Sequence, residues 1–148
     1  LAMPEGNAGN MATSSLLGEK VLLKKNIYGW TTIDFKLQDK AIVMKVTTKK
    51  GEVFEIPFGY KKWETGQLAT YPFYSINALG RFSGIEGPFF VAGSYACPEK
   101  NVLKMKAHYV NWITPIDYTW RVEGHKVYLG VVTNHGSKTA KLEGVIQD

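Results

Sequence analysis

Apolar and polar residues alternate along most of this chain, and that period of two constrains its fold more than any other feature. Ile33, Phe35 and Leu37 alternate with Asp34, Lys36 and Gln38. Beyond Asp39-Lys40, the series Ile42, Met44, Val46 alternates with Val43, Lys45 and Thr47. Lys49-Lys50-Gly51-Glu52 is a polar turn into Phe54, Ile56 and Phe58. Successive side chains of a strand point to opposite faces, so each segment buries one face and wets the other. Three such strands on short turns form a meander.

The last third repeats the pattern. Phe89 to Tyr95 is apolar on both faces, as a strand covered on both sides would be. Leu103, Met105, Ala107 and Tyr109 face away from Lys104, Lys106 and His108, and Tyr118, Trp120 and Val122 away from Thr119, Arg121 and Glu123. The turn Glu123-Gly124-His125-Lys126 leads into Val127, Leu129 and Val131, and a strand from Leu142 to Ile146 ends the pattern. Between Tyr60 and Gly87 the aromatic residues scatter among Gly, Pro, Ser and Thr, which reads as one or two short strands and a long loop. Residues 1–18, rich in Gly, Asn, Ala and Ser, carry no period that buries a face and read as a linker or lead-in. The domain is therefore expected over 19–148.

These segments predict an all-β domain of about eight or nine strands and no helix, with turns every 8–12 residues. Short sequential connections favour an antiparallel up-and-down β-barrel, whose closure removes exposed strand edges. At 148 residues the chain can bury a substantial core. No apolar run is long enough for a helix to cross a bilayer, and no basic-then-apolar leader opens the chain. It begins with Leu1, so a fragment or processed product is expected.

The net charge of +5 does not by itself indicate nucleic acid. The lysines fall singly or in doublets (Lys24-Lys25, Lys49-Lys50, Lys61-Lys62) beside turns or alternating with apolar residues, the pattern of a solvated exterior. Catalytic chemistry has little to build on. Gly-x-Ser-x-Gly and Ser-x-x-Lys are both missing, and no phosphate-cradling glycine motif occurs. Tyr109-Val110-Asn111 and Lys138-Thr139-Ala140 imitate hydrolase elements without a nucleophile to serve, and Tyr109 falls on an apolar face. His108, His125 and His135 lack metal-ligand spacing, so neither metal nor other cofactor is expected. Cys97, the single cysteine, reads as a small buried hydrophobe. Most aromatic residues are expected in the core. Trp30 and Trp112 stand at expected turns and are the candidate contact residues.

On these residues the chain resembles the C-terminal lipocalin-like domain of β-lactamase-related serine hydrolases. Pro4-Glu5-Gly6 is similar to the linker that follows the catalytic domain in that family. Asn26-Ile27-Tyr28-Gly29 with Ile33-Asp34-Phe35 resembles its first hairpin, and Lys62-Trp63-Glu64-Thr65-Gly66 its tryptophan-containing turn. The late block carries the most detail: Gly93-x-Tyr95, Lys106-Ala107-His108-Tyr109, Asp117, and Val122-Glu123-Gly124-His125-Lys126-Val127. The chain departs from the pattern at Asn111-Trp112, where the family carries Glu-Thr, and at His125, where its turn has Asp. Residues 66–87 do not align with the family's pattern. The resemblance implies a lipocalin-like barrel with no catalysis of its own, in a secreted or periplasmic protein. Its partner would be an N-terminal catalytic domain, with roles in packing, access or oligomer contacts. The alternative is a stand-alone barrel that binds a small ligand, because about eight strands can enclose one.

Overall fold

The computed structural model describes residues 2–5, 16–68, 89–109, 115–133 and 138–147. Ten strands follow one another: β1 (Lys20–Leu23), β2 (Trp30–Gln38), β3 (Ala41–Thr48), β4 (Val53–Tyr60), β5 (Glu64–Leu68), β6 (Phe89–Glu99), β7 (Val102–Tyr109), β8 (Ile116–Glu123), β9 (Lys126–Thr133) and β10 (Lys138–Ile146). They form one sheet in the order β4-β3-β2-β1-β10-β9-β8-β7-β6-β5. A further pairing of β4 with β6 joins its ends, so all the strands except β5 close into a barrel. No helix occurs among the described residues. The lipocalin-like barrel expected from the sequence is the fold.

The closing seam departs from a purely antiparallel barrel. β4 and β6 run parallel, with Gly59 opposite Ser94 and Tyr60 opposite Tyr95. The same edge of β6 pairs antiparallel with β5 from Gly93 back to Phe89. One edge of β6 thus serves two strands in succession. Gly93 sits where they change over: a Cβ there would collide with the Pro57 carbonyl oxygen and lie 2.7 Å from Cδ1 of Phe58. Only glycine lets the backbones approach this closely. The buried Ser94 hydroxyl donates to the Gly59 carbonyl at 3.1 Å and fastens the seam.

The two ends of the barrel differ. At one, tight turns join β2–β3, β6–β7 and β8–β9. Asp39 and Lys40 both have positive φ (48° and 70°), as a two-residue primed hairpin turn requires, and Asn101 and Gly124 supply it in the other two. Pro98, which cannot donate to the ladder, lies at the register shift between Ala96 and Glu99. Leu16, 1% exposed, plugs this end. Its segment is held by Gly18 N–H on the Phe35 carbonyl (2.8 Å) and Phe35 N–H on the Glu19 carbonyl (3.2 Å). The expected lead-in therefore contributes a core residue near its end. Its flanking Ser and Gly gave no period to reveal this.

At the other end lie the β1–β2 and β3–β4 connections, with the strand ends Leu68, Phe89, Tyr109, Ile116 and Thr133. Asn26 organises the β1–β2 loop. Its Nδ2 donates to the carbonyls of Lys24 (2.9 Å) and Trp30 (2.8 Å), and its Oδ1 accepts from the N–H groups of Tyr28 (3.1 Å) and Trp30 (3.2 Å). This side-chain template lets β2 begin at Trp30, where a turn was expected.

Candidate binding site

The inward faces of the strands supply the core. Large rings from opposite walls meet across it: Phe35 of β2 on Trp120 of β8, T-shaped with centroids 5.0 Å apart, and Phe58 of β4 on Tyr118 of β8 at 6.1 Å. The β7–β10 wall towards the loop-bearing end carries smaller groups. There Ala107 faces Ile116, and Val131 faces Ala140, with Thr133 beyond. Ala140 is only partly buried although it packs on the core.

Among the described residues no Lys, Arg, Asp, Glu or His is buried, and the polar atoms carried by buried side chains are the hydroxyls of Ser94 and Thr133, those of Tyr95, Tyr109 and Tyr118, and the indole nitrogens of Trp30 and Trp120. The charges lie outside and pair across strands, as in Lys20–Asp34 (3.8 Å), Lys36–Glu55 (3.5 Å) and Lys106–Asp117 (3.6 Å). At such exposure each pair contributes about 0–1 kcal/mol. One polar atom inside stands out. Nε1 of Trp120, on a fully buried side chain, has no hydrogen-bond partner. A buried donor left without an acceptor costs about 1–3 kcal/mol.

Cys97 and Tyr95 share the inward face of β6, and Tyr95 stacks on Tyr60 of β4 at 5.7 Å. Burial pushes the Cys97 thiol up to about 11. It also raises Tyr95, with smaller contributions from Cys97 and Tyr60. Neither is poised for nucleophilic or acid–base work near neutral pH.

The residues singled out from the sequence fall as follows. Trp30, expected to be exposed on a turn, is 2% exposed and opens β2; Tyr28 packs on it at 4.9 Å and Phe54 at 6.0 Å. It closes the loop-bearing end from inside rather than presenting a surface, because the Asn26 bonds pull the strand start inward. Trp112 lies outside the described residues, as does His135. His108 packs against Trp63 on the outer surface at 5.1 Å, and His125 is exposed at the opposite end. Tyr109 and Cys97 are in the core. No group of three metal-ligating side chains occurs among the described residues. No helix there is long and apolar enough to cross a membrane. Outside the barrel, an open groove of about 490 Å³ separates Pro4 and Glu5 from Lys104, Lys106, Asp117 and Thr119. Trp120 was legible as a core residue but not as an orphaned donor, because that depends on its neighbours across the sheet.

No known family profile matches the chain, and no curated protein matches its sequence. Solved structures do match. A fatty acid binding protein of Schistosoma mansoni, in complex with arachidonic acid, superposes with a TM-score of 0.60 at 14% identity, over 91% of this chain and 98% of that one. A fatty-acid-binding protein from Manduca sexta gives 0.56 at 11% identity, over 88% and 99%. A SAHS (abundant heat soluble) protein from Ramazzottius varieornatus gives 0.56 at 12% identity, over 77% and 69%. At this identity the likeness is one of fold.

Proposed function

We propose that this chain is a binding protein that takes a small apolar molecule into its barrel. The observation that carries the reading is an enclosed interior in which no described residue buries a charge and which holds an unpartnered hydrogen-bond donor, Nε1 of Trp120. Ligand sites in proteins are mostly apolar with very few placed polar groups, and barrels of this size hold one small ligand. Two of the fold neighbours are fatty-acid-binding proteins by name, which supports the same class of task. Titration with Nile red, an uncharged polarity-sensitive dye, tests it. Saturable binding at one site per chain, lost on unfolding in urea, is the expected result. Unsaturable, weak fluorescence indistinguishable from that of the unfolded chain would refute it.

A second reading, an accessory domain of a β-lactamase-related serine hydrolase, draws on the sequence resemblance. Its motif residues have structural employment in the barrel: Gly93 at the seam, Asp117 paired with Lys106, and Gly124 at a positive-φ turn. That is what a domain without chemistry of its own requires. Reading the coding region upstream of Leu1 tests it, and a Ser-x-x-Lys-bearing domain there is the expected result.

A further inference from the structure

The chemistry of the interior narrows the ligand class, on the premise that the barrel binds a ligand inside. An indole N–H can only donate, so what is missing at Trp120 is an acceptor. Buried polar groups are almost always paired, and an exception calls for a water, an ion or a ligand. A cation cannot satisfy a donor.

A carboxylate fits poorly. Desolvating a carboxylate is costly unless a cation or several donors meet it. Among the described residues no Lys, Arg or His is buried, and the buried hydroxyls, on Ser94, Thr133, Tyr95, Tyr109 and Tyr118, are all neutral. Ser94 already donates to the Gly59 carbonyl. A fatty-acid headgroup brought to Trp120 would find neutral groups alone, the indole N–H with Tyr118 as its inward neighbour on β8, and no counter-charge among the described residues.

Water fits poorly as well. Buried waters typically make two to four hydrogen bonds. Trp120 is flanked in register by Leu103 of β7 and Leu129 of β9, and Phe35 covers it from the facing wall. A water in such surroundings would be held by little besides the indole. An oxygen attached to an apolar body suits them better, because that body profits from the same apolar walls.

We propose that the interior takes a neutral apolar molecule bearing a single acceptor oxygen, such as an ester, ketone or aldehyde, and that this oxygen accepts the hydrogen bond of Trp120 Nε1. The discrimination is by charge. The same hydrocarbon ending in a carboxylate is disfavoured because no described residue supplies an interior cation, and a pure alkane leaves the indole unsatisfied.

A matched set of probes tests this on the full chain: methyl laurate, lauric acid and dodecane, each competing with bound Nile red, with the indole N–H resonances followed by NMR on protein labelled with 15N-tryptophan. At neutral pH methyl laurate should bind at least about tenfold more tightly than lauric acid. The gap should narrow as the pH falls towards about 4 and the acid becomes neutral. The Trp120 indole resonance should move with the ester and stay in place with dodecane. A Trp120→Phe variant that keeps its β-sheet circular dichroism should bind ester and dodecane alike.

Equal or tighter binding of lauric acid at neutral pH would overturn the neutral-ligand assignment while leaving interior binding intact. Ester binding without movement of the indole resonance would overturn the Trp120 contact and assign its acceptor to water. Failure of all three probes and of Nile red would instead refute interior binding itself, and this inference with it.

Discussion

Phe35 and Trp120 stand on walls separated in the sheet by β1, β10 and β9, yet their rings meet at 5.0 Å with planes 85° apart. That contact ties the two halves of the barrel across its interior, and T-shaped pairs contribute about 0.5–1.5 kcal/mol beyond area burial. Phe35→Ala removes the ring and leaves a cavity, so it should cost about 3–5 kcal/mol. Urea unfolding should show this as a lower midpoint at unchanged slope. A loss under about 1 kcal/mol would mean that the walls do not meet there.

The seam makes a sharper comparison between two glycines. Gly93→Ala places a methyl against the Pro57 carbonyl and the Phe58 ring, whereas Gly130→Ala meets nothing nearer than the Thr119 carbonyl at 4.0 Å. Overpacking at Gly93 should cost about 1–3 kcal/mol or more, and Gly130→Ala should be neutral or mildly stabilising. Thermal unfolding of the two variants side by side would read this, and equal melting temperatures would contradict the described closure of β4 on β6.

Asn26 makes four hydrogen bonds that hold the loop before β2. Asn26→Ala should cost about 1–3 kcal/mol, since partly buried backbone groups lose their partners. Hydrogen exchange of the Tyr28 and Trp30 amides should accelerate ahead of the rest of the sheet. Uniform acceleration throughout would mean that the loop has no independent role.

Cys97 gives a pH dependence whose sign is fixed by its burial. The folded thiol holds its proton up to about 11, against 9.0 for a free one. Between those values the native state binds more protons than the unfolded state, so stability falls as pH rises. It is fully present below about pH 9 and is lost progressively towards 11. Cys97→Ala should flatten that limb, and the native thiol should resist alkylation near neutral pH until urea exposes it. Rapid alkylation of the native protein would contradict its place in the core.

How much of this was legible in the sequence depended on local period. β2, β3, β7, β8 and β9 alternate as expected and bury most of their inward residues, but Leu37 is 59% exposed beside the β2–β3 turn and Val43 is buried on the opposite face of β3. The start of β10 was missed because Lys138, Thr139 and Lys141 surround Ala140, a small residue that gives a weak apolar signal. β6 is covered on both sides at Ala92, Ser94 and Ala96 of its outer face, but Phe90 on that face is 50% exposed. Trp30 was misplaced because a turn-forming neighbourhood, Asn26 to Gly29, directly precedes it. The parallel seam left no local trace, since it depends on residues 35 positions apart, Gly59 and Ser94. That the described inward faces are apolar could be read from the alternation of the strands; the orphaned indole could not.

The central claim is that a ligand enters the barrel. Backbone and methyl NMR of the full chain during titration with methyl laurate tests it most directly. The account predicts that shifts concentrate on inward positions such as Ala107, Val131, Ala140 and Trp120, with the outward neighbours Lys106, Val132 and Lys141 moving far less. Shifts confined to outward residues, or no saturable shifts at all, would contradict it.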